Sequence, residues 1–269
     1  MAKIIHFTKM HSLGNDFMIV DGLSQEAIFD DLQIKTWSNR NTGIGFDQLL
    51  IIEPPNSPEL DFFFRIYNAD GSEAEHCGNG TRCAASFAKE KQLTKKKIIE
   101  WQSIGGNFIT SYESDDQIHT QINLRESNCK TIELENTESK EIYEVHSVDI
   151  GNPHAVTFVK NIHSVDVDKI GSAISENEAF PKGVNVGFCQ VVDRGFLRLR
   201  VFERGVGETL ACGTGACAAS VVSASKNLAS NKVKISMPGG KLKLMNQPEE
   251  KSILLTGPAS KVFDGNIAT

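Results

Sequence analysis

The sequence predicts an α/β protein built from two similar halves that arose by tandem duplication. Cys77-Gly78-Asn79-Gly80 recurs as Cys212-Gly213-Thr214-Gly215, 135 residues further along the chain. Each copy follows an alternating apolar run, which is typical of a strand, and precedes a segment of small residues, which is typical of a buried helix. With 269 residues, the chain suits two domains of about 130 residues each.

The duplication extends beyond the cysteines, and its offset drifts by only three residues. A fixed period marks a repeated structural unit, and a unit this long indicates a domain and not a solenoid repeat. The matched pairs are Leu13-Gly14-Asn15 with Ile150-Gly151-Asn152, Gln48 with Asn185, 64–68 with 199–203, Asn68 with Glu203, Glu73 with Glu208, Cys77 with Cys212, and Gly105-Gly106 with Gly239-Gly240.

Alternating β-branched and aromatic residues predict strands in both halves. Those in the first half are 4–10, 16–20, 48–52 and 62–67, followed by a helix at 79–92. Those in the second half are 155–159, 184–191 and 197–203, followed by a helix at 214–228. The second helix is small and apolar on most faces, so we expect it to be buried and enclosed by sheet. The polar stretch 125–144 is the expected connection, which gives domains 1–124 and 125–261.

Composition excludes several classes of protein. The net charge of −6 comes with no basic patch interleaved with aromatic residues, so we expect no nucleic-acid partner. The first residues lack the apolar core of a signal peptide, and no run approaches the roughly 18 apolar residues of a membrane span. We therefore expect a cytoplasmic protein without a membrane partner. Its six cysteines are expected to be reduced thiols.

Cys77 and Cys212 differ from the other cysteines by position. A single cysteine is more often core than catalyst, and we interpret Cys83, Cys129, Cys189 and Cys217 in that way. Each of the two repeated cysteines stands at the first turn of a predicted helix, where backbone N–H groups stabilise an anion and can lower a thiol pKa. Two equivalent thiols suit a reaction that removes a proton from one face of a carbon and returns it to the other.

No motif indicates a metal or a cofactor. The spacings Cys-x5-Cys and Cys-x4-Cys do not match a zinc site. A P-loop and a dinucleotide glycine fingerprint are both missing from the sequence. Sequence alone leaves a pyridoxal-phosphate lysine open, but no motif calls for one. We therefore expect neither a metal nor a cofactor.

Polar residues at the ends of strands are further candidates. His154 follows Gly151-Asn152-Pro153, and although a lone histidine is usually packed or at the surface, its place beside the matched Asn152 makes it a candidate. Glu203-Arg204-Gly205 and Asn68-Ala69-Asp70-Gly71 end two matched strands, where side chains are well placed to line a cleft. Ordinary turn formation is the alternative explanation for these residue types.

Together these motifs resemble the diaminopimelate epimerases, which are cofactor-independent amino-acid epimerases, over almost the whole chain and in the same order. Ser12, His76 and Thr214 depart from the usual glycine, methionine and serine, and none of the three removes a functional group. The resemblance rests on Met10-His11-Ser12-Leu13-Gly14-Asn15-Asp16-Phe17, Gly45-Phe46-Asp47-Gln48, Tyr67-Asn68-Ala69-Asp70-Gly71-Ser72-Glu73, Cys77-Gly78-Asn79-Gly80, Gly151-Asn152-Pro153-His154, Gly183-Val184-Asn185, Glu203-Arg204-Gly205 and Gly207-Glu208-Thr209-Leu210-Ala211-Cys212-Gly213-Thr214-Gly215.

The resemblance implies a fold and an activity. The fold would be two pseudo-symmetric α/β domains, each a mostly antiparallel or mixed sheet wrapped around a central helix, with the active site in the cleft between them. The last strand, within 262–269, could return to the first domain. The activity would interconvert LL- and meso-diaminopimelate, for lysine and peptidoglycan precursor synthesis, and the protein would be a homodimer.

The resemblance also implies roles for individual residues. Cys77 and Cys212 would be the catalytic base and acid, with His154 and Glu203 beside the thiols and the reacting amino group. If the two sulfurs face each other, their oxidation to a disulfide would reversibly inactivate the enzyme. The backbone N–H groups of Gly78, Asn79, Gly213 and Thr214 would hold the reacting carboxylate. The side chains that would bind the rest of the substrate are Asn15, Gln48, Asn68, Asn152, Asn185, Glu203 and Arg204.

Two other interpretations compete with this one. A proline-racemase-like enzyme or an isomerase could share the architecture, but isomerase relatives typically lack the paired thiols, and a small imino acid needs fewer polar groups. A redox or binding protein could use Cys77 and Cys212 as a switch. Exchange of the α-hydrogen of diaminopimelate in D2O separates an epimerase from a switch.

Overall fold

A computed structural model describes residues 3–75, 77–114, 117–124, 129–135 and 141–269 of the chain. By its internal contacts the chain divides into two compact units, Met1–Gln121 with Gly257–Thr269, and Ile122–Thr256. The boundary predicted from the sequence lies after residue 124, and the predicted return of the chain lies at residue 262. His76 and residues 125–128 and 136–140 of the predicted connection lie outside the described residues.

The helices and strands follow in chain order. The first unit contains β1 (Ile4–Ser12), β2 (Asn15–Asp21), α1 (Asp31–Ser38), β3 (Gln48–Glu53), β4 (Phe62–Asn68), α2 (Gly78–Glu90), β5 (Ile98–Ser103), β6 (Gly106–Ser114) and β7 (Gln117–Asn123). The second contains β8 (Lys130–Glu135), β9 (Ile142–Asp149), β10 (Pro153–Phe158), α3 (Val167–Ser175), β11 (Asn185–Asp193), β12 (Phe196–Glu203), β13 (Gly207–Thr209), α4 (Gly213–Ser225), β14 (Lys232–Met237), β15 (Gly240–Gln247) and β16 (Ser252–Gly257). The last strand, β17 (Ser260–Ala268), belongs to the first unit.

The two units have the same strand pairing. In the first, β17–β1 and β1–β2 are antiparallel, β2–β3 is parallel, β3–β4 antiparallel, β4–β5 parallel, and β5–β6–β7 antiparallel. In the second, β8–β9–β10 is antiparallel, β10–β11 parallel, β11–β12 antiparallel, β12–β14 parallel, and β14–β15–β16 antiparallel. The returning strand β17 therefore takes the place in the first unit that β8 takes in the second. A mixed, mostly antiparallel sheet in each unit confirms the predicted fold class.

Each unit encloses one helix of small residues. In α2, Cys83, Ala84, Ala85 and Ala88 are fully buried and pack against apolar side chains of the surrounding strands. In α4 every position from Gly215 to Ser220 is buried, and this includes the polar side chains of Cys217 and Ser220. A helix that is apolar on all faces must be surrounded by other elements, and small side chains let those strands approach closely. The prediction of buried central helices is confirmed.

Strands β2 and β3 of the first unit are buried on both faces. Along β2, Phe17 and Ile19 pack toward α2, while Met18 and Val20 pack toward α1. This alternation follows from the two-residue period of a strand, and it produces a continuous apolar run because both faces are covered. The outer helices α1 and α3 were not predicted from the sequence. A signal for α1 was present, since Asp30 and Gln33 form a capping box at its first turn.

Candidate active site

Cys77 and Cys212 occupy the N-cap positions of α2 and α4. The Cys77 Sγ accepts a hydrogen bond from Gly80 N at 3.2 Å, and the Cys212 Sγ accepts one from Gly215 N at 3.4 Å. A cap side chain that accepts from the third helical residue is normally an oxygen, as in Ser, Thr, Asp or Asn. Here a sulfur takes that place in both units, so each thiol is oriented by the same backbone geometry.

The second glycine of each repeated motif is required by space. A Cβ at Gly80 would lie 3.1 Å from the Cys77 Sγ and 3.3 Å from Leu50 Cδ1. A Cβ at Gly215 would lie 3.1 Å from Val201 Cγ2 and 3.3 Å from the Cys212 Sγ. Any side chain at either glycine would therefore push the sulfur away from the N–H group that orients it.

A matched ion pair secures the segment before each cysteine. Arg65 Nη1 donates to Glu73 Oε1 at 2.7 Å in the first unit. In the second unit, Arg200 makes a bidentate pair with Glu208, with both N–O distances at 2.6 Å. Each arginine lies on a strand that precedes the cysteine motif, which is β4 in the first unit and β12 in the second. Each glutamate lies four residues before the cysteine of its own unit. This pairing explains why both residue types recur at the same offset.

Glu203 and Thr209 lie beside Cys212 in the second unit. The Thr209 hydroxyl donates to Glu203 Oε1 at 2.6 Å. Burial raises the pKa of Cys212 well above its ordinary value, and the negative charge of Glu203 raises it further. Hydrogen bonds from Thr214 and the Gly215 backbone oppose this shift but do not reverse it. The lowering of the thiol pKa that the helix N-terminus suggested is therefore wrong for Cys212, which is a protonated thiol near neutral pH.

Replacing Glu203 by glutamine is expected to lower the pKa of Cys212. A nearby negative charge disfavours the thiolate, so its removal favours deprotonation, although burial still keeps the pKa above the ordinary value. The measurement is the pH dependence of thiolate ultraviolet absorbance, taken as the difference between Glu203→Gln and the Glu203→Gln, Cys212→Ala double variant. An unchanged or higher midpoint would contradict this electrostatic link.

The remaining candidates of the second unit form a connected group. His154 is 1% exposed and pairs in the parallel register with Asn185. Its Nε2 lies 3.0 Å from Asn152 Oδ1, and burial lowers its pKa to about 3, so the imidazole is neutral. Asn185 Oδ1 accepts from the backbone N of Arg204 at 2.9 Å. The guanidinium of Arg204 is exposed, and its Nη1 donates to Lys182 O at 2.8 Å.

The first unit holds its candidates in two groups. Asn15 Oδ1 lies 3.9 Å from the Cys77 Sγ and accepts from Asn79 Nδ2 at 3.3 Å. Gln48 Nε2 donates to Asn68 Oδ1 at 3.0 Å, and these residues face each other across β3 and β4. The parallel pairing of β2 with β3 sets both groups at the same ends of neighbouring strands.

A tight turn presents Asn15 at the start of β2. Leu13 and Gly14 connect β1 to β2 and have φ angles of 56° and 87°. Two consecutive positive φ values are the signature of the two-residue hairpin turn whose twist matches that of the strands. Glycine adopts such a conformation without strain, whereas leucine does so rarely.

Several residues of the site were missed from the sequence. Thr209 was quoted only as part of a motif, although it donates to Glu203. Asp47 accepts from Asn15 Nδ2 at 2.9 Å, and the fully buried Arg82 donates to Asn79 Oδ1 at 2.6 Å. Asp47 is next to Gln48 in the sequence, and Arg82 lies one helical turn after Asn79. This closeness to predicted site residues was the signal that the sequence offered. Their partners come from distant parts of the chain, so their roles were not readable from local pattern.

Cys83 and Cys189 lie within α2 and β11 and not at a helix N-cap. Burial raises the pKa of Cys83 well above its ordinary value and that of Cys189 to about 12. All six cysteines lie in the described part of the chain and are thiols, not disulfides. Within the described residues, no cluster of three His, Cys, Asp or Glu side chains is arranged to hold a metal ion. Over the same residues, none of the helices has the length and apolar character needed to cross a membrane.

Comparison with known proteins concerns first the fold. Among the solved structures that share it are the following three. A probable proline racemase from Agrobacterium radiobacter has a TM-score of 0.73 at 13% identity, and the match covers 98% of this chain and 93% of that one. A hydroxyproline epimerase from Agrobacterium vitis, solved with trans-4-hydroxy-L-proline, has a TM-score of 0.72 at 14% identity, with 100% and 94% covered. A PhzF-family phenazine biosynthesis protein from Enterococcus faecalis has a TM-score of 0.73 at 15% identity, with 98% and 99% covered.

At such low identities these likenesses concern the fold alone. The family model described as diaminopimelate epimerase matches residues 7–124 and 146–262, which include both cysteine motifs and every polar candidate. This match supports an isomerase as the class of enzyme. The chain belongs to the diaminopimelate epimerase family.

Proposed function

We propose that the protein converts LL-2,6-diaminopimelate to meso-diaminopimelate without a cofactor, in lysine and peptidoglycan precursor synthesis. The observation that carries this proposal is the pair of N-cap cysteines, one in each unit, with the same N–H group on each sulfur. Epimerisation needs one acid/base group for each face of the reacting carbon, and a duplicated fold supplies two equivalent groups. Membership of the family supports the choice of substrate.

Stabilisation of the carbanion is the main chemical demand. The α-hydrogen of an amino acid is very weakly acidic, and this proposal provides no imine to delocalise the charge. Fixed dipoles in a site that excludes water are the alternative. The N–H groups of the first turn point out of a helix and bind anions, and the macrodipole adds to the effect. In the proposal, those of Gly78, Asn79, Gly213 and Thr214 hold the carboxylate as negative charge spreads onto its oxygens.

The two cysteines start the reaction in different protonation states, one as a thiolate and the other as a thiol. The thiolate of one cysteine takes the proton from Cα and becomes a thiol, while the thiol of the other gives its proton to the opposite face and becomes a thiolate. The pair therefore holds one proton before and after the reaction and two while the carbanion exists, and it titrates as a unit. Because burial and Glu203 raise the pKa of Cys212, we assign Cys212 as the proton donor and Cys77 as the base in the conversion of the LL form. The reverse reaction exchanges the roles.

The two units differ in the polar groups that they offer. Asn68 and Glu203 occupy matched positions in the repeat, so an amide in one unit corresponds to a carboxylate in the other. We propose that Glu203 faces the ammonium group at the reacting end and that Arg204 and the amide side chains bind the unreactive end. A substrate with an ammonium and a carboxylate at each end then binds in one orientation, so only one of its two stereocentres reacts.

The test is exchange of the α-hydrogen in D2O. We expect incubation with LL-diaminopimelate to yield meso-diaminopimelate carrying deuterium at the inverted carbon, detected by chiral chromatography with mass spectrometry. Exchange requires that the Cα–H bond be broken, so a binding protein or a thiol switch would show none. The Cys77→Ala variant is the control for exchange by contaminating enzymes.

Two further substrates make the test specific. Proline and trans-4-hydroxyproline, presented under the same conditions, should incorporate little deuterium, because they lack the second charged end that the amides and Arg204 would bind. Exchange into either one, with none into diaminopimelate, would overturn the choice of substrate and leave the two-thiol mechanism standing.

A further inference from the structure

A chain of hydrogen bonds connects two charged residues of the first unit through two amides. Arg82 Nη2 donates to Asn79 Oδ1 at 2.6 Å, and Asn79 Nδ2 donates to Asn15 Oδ1 at 3.3 Å. Asn15 Nδ2 in turn donates to Asp47 Oδ2 at 2.9 Å. Cys77 stands beside the middle of the chain, with its Sγ 3.9 Å from Asn15 Oδ1.

The charged ends determine the direction of every bond in this chain. A guanidinium only donates hydrogen bonds and a carboxylate only accepts them, whereas an amide can present either group after a half-turn. Arg82 therefore requires the oxygen of Asn79, which leaves its NH2 group for Asn15. Asp47 requires the NH2 group of Asn15, which leaves the Asn15 oxygen for Cys77. Both ends demand the same orientation of the two amides.

Both ends are themselves held firmly. Arg82 is 0% exposed, and its guanidinium also donates to Ser12 Oγ at 2.7 Å and to Gly78 O at 2.9 Å. Asp47 lies at the start of β3 and is more exposed. It accepts from Arg40 Nη2 at 2.7 Å and from the backbone N of Asp16 at 3.1 Å.

We propose that Asp47 and Arg82 are positioning residues that orient the amide of Asn15 so that its carbonyl oxygen, and not its NH2 group, faces the Cys77 thiol. An oxygen there accepts from S–H and so favours the thiol. The N–H of Gly80 has the opposite effect, because it donates to the sulfur and so favours the thiolate. The inference deepens the proposed function, and rests on it only in taking Cys77 as one of the two acid/base groups.

Other charged or titratable groups lie on the elements that pack against α2 in the first unit. The elements packed on α2 there include β1, β2 and β3. The nearby titratable and charged groups are Arg82 on α2, Lys9 and His11 on β1, Asp16 on β2, and Asp47 and Arg40 beside them.

The test measures how fast iodoacetamide alkylates Cys77 at pH 7 in the intact protein. The tryptic peptide 66–82 contains Cys77 and no other cysteine, so mass spectrometry follows this site alone. Asp47→Ala removes the acceptor that orients Asn15, and we expect alkylation to become about two- to tenfold faster, the factor that one hydrogen bond represents. Asp47→Asn also removes the charge but keeps an oxygen that accepts from Asn15, so we expect a rate close to that of the unaltered protein.

A second pair of variants tests whether Asp47 acts through Asn15. Asn15→Ala removes the oxygen itself and should also speed alkylation of Cys77. In that background, Asp47→Ala should cause no further change. Should Asp47→Ala fail to fold, Asn15→Ala alone decides, because an unchanged or slower rate would overturn the proposal.

Two other results would overturn the proposal that Asp47 orients Asn15. Equal acceleration in Asp47→Ala and Asp47→Asn would mean that charge, not orientation, is responsible. Persistence of the Asp47→Ala effect in the Asn15→Ala background would mean that the effect bypasses Asn15. Alkylation needs no substrate, so a failure of deuterium exchange into diaminopimelate would count against the proposed function and not against this inference.

Discussion

Replacing Cys212 by alanine is expected to abolish epimerisation of diaminopimelate, with a loss of about 10²–10⁴-fold in kcat, the contribution typical of a positioned acid or base. The thiol of Cys212 is protonated near neutral pH because burial and Glu203 raise its pKa, so it is the proton donor at the start of the reaction. Alanine leaves the helix and its first-turn N–H groups in place but removes the proton. Inversion at the carbon then has no donor for its second face.

The measurement is the rate of formation of meso-diaminopimelate from the LL form, followed by chiral chromatography. Cys217→Ala is the matched control, because Cys217 lies on the same helix, is fully buried and is flanked by alanines. We expect the control to keep the activity of the unaltered protein. A Cys212→Ala variant that epimerises within tenfold of the control would refute the two-thiol mechanism.

The second large effect concerns stability. Asp16→Asn is expected to lower the free energy of unfolding of the first unit by about 2–4 kcal/mol, near the range for breaking a largely buried ion pair. The Lys9 side chain is 9% exposed, and its Nζ lies 2.5 Å from Asp16 Oδ2. The Asp16 carboxylate also accepts hydrogen bonds from both terminal guanidinium nitrogens of Arg40, at 2.8 and 2.9 Å. Removal of the carboxylate leaves the Lys9 ammonium buried without its charged partner.

Urea unfolding followed by tryptophan fluorescence is the measurement. Both tryptophans, Trp37 and Trp101, belong to the first unit, so the signal reports on that unit. The Lys9→Met, Asp16→Asn double variant is the control, since it removes the stranded charge and should recover much of the lost stability. A double variant less stable than Asp16→Asn would contradict the explanation.

The same pair predicts a pH dependence. Burial alone would raise the pKa of Asp16, but hydrogen bonds from Arg40 and Lys9 outweigh it and lower the pKa to about 2. A carboxyl group whose pKa is lower in the folded state contributes its full stability above its unfolded pKa and loses it as the pH falls toward the folded value. The difference in stability between the unaltered protein and Asp16→Asn should therefore shrink between about pH 4 and pH 2.

The architecture was largely predictable because it is repeated. The helices around residues 79–92 and 214–228 were found from their small residues, and they correspond to α2 and α4. Strands β5 to β9 and β13 to β16 were not predicted, although the apolar residues of β14 and β15 alternate regularly with polar ones. Helices α1 and α3 were missed as well. Each is short, with eight and nine residues, although Val167, Ile170 and Ile174 of α3 stand at helical spacing and pack on the core.

The candidate site was predictable where chemistry requires a particular residue type in a repeated position. Cys77 and Cys212 met that condition, and so did the polar residues at the ends of matched strands. The residues that hydrogen-bond to these candidates did not. Asp47, Arg82 and Thr209 were not predicted, because hydrogen bonds between side chains that come together only in the fold have no signature in local sequence.

The sequence by itself determined that there are two halves and that each carries one cysteine at the start of a helix of small residues. Only the tertiary structure decided the protonation of Cys212, because a helix N-terminus favours a thiolate while burial and the Glu203 charge favour a thiol, and the second effect is the larger. It also decided which atom of Asn15 faces Cys77. Desolvation and hydrogen-bond direction both depend on what surrounds a group in space, and the spacing of residues along the chain does not contain that information.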